Sequence, residues 1–398
     1  MNARSIVKLL LHLCIAISLY TTSIWASQYG PSLFFHKPYS AIPYQTNFYM
    51  SFSDGTTSKA FNQNGQTVPF LSQYGSEDLL KRFIDPTLNP DNIESVGQGQ
   101  LSGIFNFQQL LISCYKNIHH DLFIGIGTAI QNLTINSIGV DFLPGEYPLN
   151  PEQINYLEKF RTLIPANINQ SGILTSYIHL GYNKILRDFA SIDYLQLFVK
   201  LGIASPQVMY ENDESLFQFP LAANVTFSYP IIGIISLGVL QHLNFGLYGL
   251  ILPLQPTQLP ILVNPTTSNN QLLLTEAVVA KIHSKPIFST VFYMEAHDKE
   301  SRIVGTVGAG YAYGMNWTIS TTNPTEFPTA NINNTSLLNP WHITSIFFQL
   351  DYHVPMEGRR PHSPFYLTFF FVAPLTGSLY PKVNILGGVC SFLFSYLF

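Results

Sequence analysis

Large apolar side chains recur at every second position along much of this chain. Across 194–205, Leu195, Leu197, Val199, Leu201 and Ile203 oppose Tyr194, Gln196, Phe198, Lys200, Gly202 and Ala204. Across 306–319, Val307, Ala309, Tyr311, Tyr313, Met315, Trp317 and Ile319 oppose Thr306, Gly308, Gly310, Ala312, Gly314, Asn316 and Thr318. The pattern returns over 345–354, where Ile346, Phe348, Leu350, Tyr352 and Val354 oppose Ser345, Phe347, Gln349, Asp351 and His353. A period of two is that of a β-strand, whose side chains point alternately to opposite faces; a helix would repeat every 3.6.

This reading predicts strands over 101–116, 122–136, 172–182, 194–205, 222–232, 239–252, 272–283, 287–297, 303–319, 342–354, 365–373 and 384–398. Short helices are predicted at two places. Ser76 caps one over 76–84, with Glu77 and Asp78 in its first turn and Asp85-Pro86 after it. Asn150, Pro151 and Gln153 open another over 151–163, in a long insertion between strands.

Composition then decides what the strands face. Only 11% of the 398 residues are charged while 46% are hydrophobic and 14% aromatic. A soluble surface carries about a quarter charged residues, and the polar faces here hold mostly Gly, Ser, Thr and Gln. A soluble sandwich is the alternative, but it would place charges on those faces. Helical spans are excluded by length. The charge-free stretch 215–275 has its purest apolar run at 231–240, broken by Gly233, Ser236 and Gly238, against the ~20 residues a spanning helix needs. Strands with one apolar face cross a bilayer only as a closed sheet, so the fold class is all-β: an antiparallel transmembrane β-barrel of about twelve strands, ten to fourteen.

The first residues fit export. Arg4 and Lys8 precede an apolar run over 9–19, and Ala26 ends a stretch suited to cleavage. The division expected is a signal peptide over 1–26, an N-terminal extension or plug over 27–100, and the barrel over 101–398. Removal of the leader takes Cys14 and leaves Cys114 and Cys390, which is no disulfide scaffold. A net charge of -4 gives no basic footprint, which excludes nucleic acid as a partner.

The last segment adds specificity. Counting back from the end, Phe398, Tyr396, Phe394, Phe392 and Cys390 share one face, opposite Leu397, Ser395, Leu393 and Ser391. This resembles the C-terminal strand of Gram-negative outer-membrane β-barrel proteins. The resemblance implies recognition by the barrel-assembly machinery during biogenesis, outer-membrane lipid as surroundings, and a final strand descending to the periplasm. Turns at 298–302 and 355–363 then lie on the periplasmic side and 321–340 is a long outer loop. The same count places the helical insertion on the periplasmic side, against the usual long-loop-outside pattern. One strand is therefore miscounted, through a wrong division of 222–252 or an overlooked strand at 44–52.

Candidate interior residues are Lys200, Glu295, His297, Gln349, Asp351 and His353. Two acid-x-His pairs at strand spacing point into one lumen, where mutual neutralisation is the plain reading and metal binding the sharper one. The glycines between 305 and 314 alternate as packing positions rather than as a phosphate loop. Ser289 and His297 share a strand face, but no nucleophile motif surrounds them, so no enzyme is expected, and no cofactor. The expected function is a porin-like or transport barrel passing small solutes. The alternatives are a structural or surface-interaction barrel acting through its outer loops, and an outer-membrane hydrolase. In an outer-membrane fraction, the protein should give a urea-resistant gel band that shifts on heating. Recovery in the soluble periplasmic fraction would contradict the barrel.

Overall fold

The computed structural model describes residues 45–74, 97–119, 121–144, 164–189, 192–205, 208–210, 227–239, 242–263, 276–283, 285–298, 302–321, 339–354 and 365–395, with isolated positions within 151–162. The barrel strands are β1 Gln45–Thr57, β2 Gly97–His119, β3 Leu122–Pro144, β4 Ile168–Phe189, β5 Ile192–Ala204 and β6 Ile231–Val239. They continue as β7 Leu243–Leu252, β8 Ile287–His297, β9 Ile303–Gly314, β10 Trp341–Val354, β11 Phe365–Ser378 and β12 Asn384–Ser395. Each pairs antiparallel with its neighbours in chain order, and β1 pairs with β12 from Gln45↔Ser395 to Thr56↔Asn384, which closes the sheet.

Alternation sets inside and outside. Val199, Leu201 and Ile203 are exposed on the outer face of β5, while Gln196 and Phe198 are buried within. Phe348, Leu350 and Tyr352 are exposed on β10, whereas Phe347 and Asp351 are buried. Such an outward apolar face is what hydrocarbon requires. Among the described residues no helix is long and apolar enough to cross a membrane.

Several expectations are corrected. The first barrel strand, β1, lies inside the segment assigned to an extension or plug, so the overlooked strand is 45–57. Segment 276–283 is no barrel strand: it joins Thr257–Val263 and Thr318–Thr321 in a separate three-stranded sheet. One omission and one surplus leave the count at twelve. The 222–252 region divides as Ile231–Val239 and Leu243–Leu252 rather than at 232 and 239, and the strand expected to run to Ile319 stops at Gly314. Periodicity marks a strand but not its partner, which is why 276–283 reads like its neighbours. With β1 in place, the connections 120–121, 190–191, 240–242, 298–302 and 355–364 share one end of the barrel. Those at 58–96, 145–167, 205–230, 253–286, 315–340 and 379–383 share the other, so the helical insertion moves to the long-loop end. Positions 151, 154, 155, 158 and 162 there are helical, as expected. The signal peptide and the 76–84 helix lie outside the described residues.

Inward glycines set the wall's thickness. A Cβ on Gly246 would overlap the ring of Tyr293, one on Gly308 the ring of Phe347, and one on Gly314 the indole of Trp341. Each ring lies flat over the backbone of the adjacent strand, so the glycines between 305 and 314 are packing positions, apart from Gly305. A Cβ there meets nothing within 4 Å. Gly246→Ala should therefore destabilise the barrel by about 1–3 kcal/mol through displacement of Tyr293. Gly305→Ala should stay within about 0.5 kcal/mol of the parent. Urea unfolding followed by the heat-modifiable band checks both, and equal midpoints would refute the packing role.

Candidate functional site: the barrel interior

The interior is organised in three tiers. At the long-loop end the chain leaves β1 and folds back as a strap into the mouth. Lys59–Phe61 pairs with Thr67–Pro69 and with Tyr380–Pro381, and a 3-10 turn follows at Phe70–Tyr74. Phe70 and Leu71 are fully buried in one apolar cluster with Leu101, Phe105, Leu133 and Ile135. Phe70 stacks on Phe105 with centroids 4.8 Å apart, and Ser72 Oγ donates to the Leu101 carbonyl at 2.7 Å. From the opposite wall come Trp341, Ile343 and Leu379. Leu379 holds a left-handed φ of 50° and is fully buried, so its burial offsets the ~1–2 kcal/mol that such a backbone costs. Beneath the strap lies a cavity of about 80 Å³, lined by Phe107, Val291, Phe347, Val372 and Ile385 among others.

The middle tier is aromatic. Phe123, Phe198, Ile234, Tyr248, Val291, Tyr293 and Phe347 form a second buried cluster. Phe123 and Phe198 stack at 5.3 Å, and the Ser236 and Tyr293 hydroxyls share a hydrogen bond of 2.9 Å. Beside this cluster, His179 packs against Tyr115 at 4.9 Å and Tyr177 at 5.6 Å, ring centroid to ring centroid.

Near the short turns the interior becomes polar. The Asn244 amide donates to Glu295 Oε2 at 3.1 Å and also meets His297 Nε2, which stands 3.9 Å from that carboxylate. Gln349 Nε2 donates to both oxygens of Asp351 at 2.9 and 3.0 Å, and Thr368 Oγ1 donates to Oδ1 at 2.6 Å. Gln196 donates to Asn183 at 2.9 Å, and Ser391 to Asn47 at 2.9 Å. Apart from the Gln349–Asp351 pair, which lies within β10, these bonds join adjacent strands just where the apolar interior ends.

The residues singled out from the sequence fall in two places. Glu295 and His297 on β8 and Gln349, Asp351 and His353 on β10 belong to the polar tier, separated by β9. Glu295 and Asp351 are each 1% exposed, and His353 sits edge-on to Tyr366 at 4.3 Å. Lys200 stands apart on β5, its Nζ 5.7 Å from the centre of the Tyr115 ring. Among the described residues no group of three His, Cys, Asp or Glu side chains could hold a metal. Ser289 lines the cavity under the strap while His297 lies by the short turns. With eight residues of strand at ~3.4 Å each between them, they form no catalytic pair. Phe392 is partly exposed on the outer face and packs on Phe365 at 4.7 Å, and Phe394 pairs with Thr46 in register. Tyr396 and Phe398 lie outside the described residues. His179, Tyr115 and Tyr177 escaped the sequence reading. Their signal was the alternation of Gly125 and Gly127 on the facing strand, which leaves room for rings.

No protein-family model matches the sequence. Nor does any curated protein sequence. Among solved structures, an outer-membrane channel from Pseudomonas putida F1 aligns over 94% of this chain and 100% of its own, with a TM-score of 0.50 at 9% identity. The TodX deltaS2S3 mutant, a monoaromatic hydrocarbon channel, aligns over 89% and 91% with a TM-score of 0.40 at 9% identity. The transport unit of the autotransporter AIDA-I from Escherichia coli aligns over 92% and 94% with a TM-score of 0.36 at 8% identity.

Thr368→Val removes a donor to a buried carboxylate and should cost about 1.5–3 kcal/mol in urea unfolding. Unchanged stability would show that Asp351 does not depend on this bond. With the closed sheet, its apolar exterior and the likeness to the Pseudomonas putida channel together, the chain has the fold of an outer-membrane β-barrel.

Proposed function

We propose that this protein passes small solutes across an outer membrane through a narrow, hydrated lumen, closed at rest by the strap 58–74. The observation that carries this reading is a trail of buried polar atoms on the interior wall. Gln109 Nε2 on β2, both amide atoms of Gln131 on β3, His179 Nε2 on β4 and Thr306 Oγ1 on β9 have no hydrogen-bond partner among the described residues. Each unmet group costs roughly 1–3 kcal/mol unless water or a solute meets it. A barrel whose interior served only as packing would satisfy such atoms with its own side chains. The packed middle tier favours a second reading, a closed structural barrel whose outer loops contact another surface.

In this reading the long-loop end faces outward and the short turns face the periplasm. The strap opens by withdrawing Phe70 and Leu71 from the mouth. The last strand, with Phe392, Phe394, Tyr396 and Phe398, serves recognition by the assembly machinery. In planar bilayers the parent protein should show small, intermittent currents. Exchanging Phe70 and Leu71 together for Ser should raise the open fraction several-fold by loosening the strap's apolar anchor. No current at any voltage from correctly folded parent and variant would overturn the transport reading.

A further inference from the structure

Among the described residues, Lys200 is an interior cation whose surroundings are incomplete. Lys200 lies between Gly181 of β4 and Ile232 of β6 in register, on the inner face of β5. Among the described residues no carboxylate comes within ion-pair distance of its ammonium, which rests against the face of Tyr115. The acids of the polar tier are engaged elsewhere, Asp351 by Gln349 and Thr368 and Glu295 by Asn244. Beside Lys200, His179 is only 4% exposed, and its Nε2, turned toward Gly125, has no hydrogen-bond partner among the described residues. His179 packs against both Tyr115 and Tyr177, which keeps the two phenols together. Gly125, Gly127 and Gly181 lie behind the rings of Tyr115, His179, Tyr177 and Phe123, so nothing larger fits between those rings and the wall.

A half-buried ammonium loses hydration, and a ring face returns only about 0.5–2 kcal/mol of it. An anion would meet the remaining deficit. The rings of Tyr115, His179 and Tyr177 pack together at the same place, and their faces suit an apolar body rather than a second charge. We propose that Lys200 and His179, with Tyr115 and Tyr177, form a binding site for small organic carboxylates. The carboxylate lies on the ammonium and the apolar body against the rings. The site rests on the transport reading only in that solute reaches it through the lumen.

The test uses the full mature chain in lipid nanodiscs with 4-fluorobenzoate as probe, read by fluorine NMR, and acetate as the ringless comparison. Fluorobenzoate should bind more tightly than acetate. Lys200→Met should weaken fluorobenzoate by about tenfold or more, the loss expected for one charged hydrogen bond. Lys200→Arg should bind within a few fold of the parent. Lys184→Met, which removes the ammonium paired with Asp121 at 3.1 Å, should leave binding unchanged. Reversal potentials in a potassium chloride gradient should show an anion preference that Lys200→Met abolishes. Equal fluorobenzoate binding by the parent and Lys200→Met, both giving the folded gel band, overturns the site whatever the currents show. Binding lost in Lys200→Met with no current from any variant supports the site and counts against the transport reading.

Discussion

Closure of the sheet is the constraint on which the rest of this structure depends. In hydrocarbon no water is available to a free strand edge, so each exposed N–H or C=O costs several kcal/mol. Pairing β1 with β12 along nearly their whole length removes both edges. It also settles parity. Once Gln45 stands opposite Ser395, every strand's inner and outer faces follow from the register of its neighbour, and a slip of one residue would turn the apolar set inward.

A closed barrel of twelve strands encloses a narrow interior, and its filling follows from that width. Rings from one strand lie over glycines of the next, as Tyr293 does over Gly246 and Phe347 over Gly308, so bulky side chains occupy the wall. Polar side chains gather near the short turns, where Asn244 binds Glu295 and Thr368 binds Asp351 across strands and Gln349 binds Asp351 along its own. At the other end the interior is completed by the strap's Phe70 and Leu71 and by Leu379 of the β11–β12 connection. Among the described residues, this filling leaves Lys200 without an opposite charge.

Much of the fold was legible because its signals are local. Exposed Val199, Leu201 and Ile203 against buried Gln196 and Phe198 repeat the alternation read along 194–205. The interior placement of Glu295 and Asp351 followed from the same parity. The strand β1 was hidden because its inner positions Asn47, Ser51 and Ser53 are small and polar, and the sequence before it, with Pro31, Pro38 and Pro43, reads as a loop. Segment 276–283 misled in the opposite direction, since a strand of a small separate sheet alternates as a barrel strand does. The grouping of His179 with Tyr115, Tyr177 and Lys200 was illegible, because it joins three strands whose members are far apart in sequence.

By itself the sequence determined that the chain forms strands, that one face of each is apolar, and that charge is scarce enough for a lipid-facing exterior. These are properties of single segments, carried by side-chain pattern. Only the tertiary structure decided which segments close the barrel, which end carries the long connections, and which side chains meet inside. Strand pairing is made by backbone groups that are alike in nearly every residue, so the choice of partner is settled by the closed sheet as a whole.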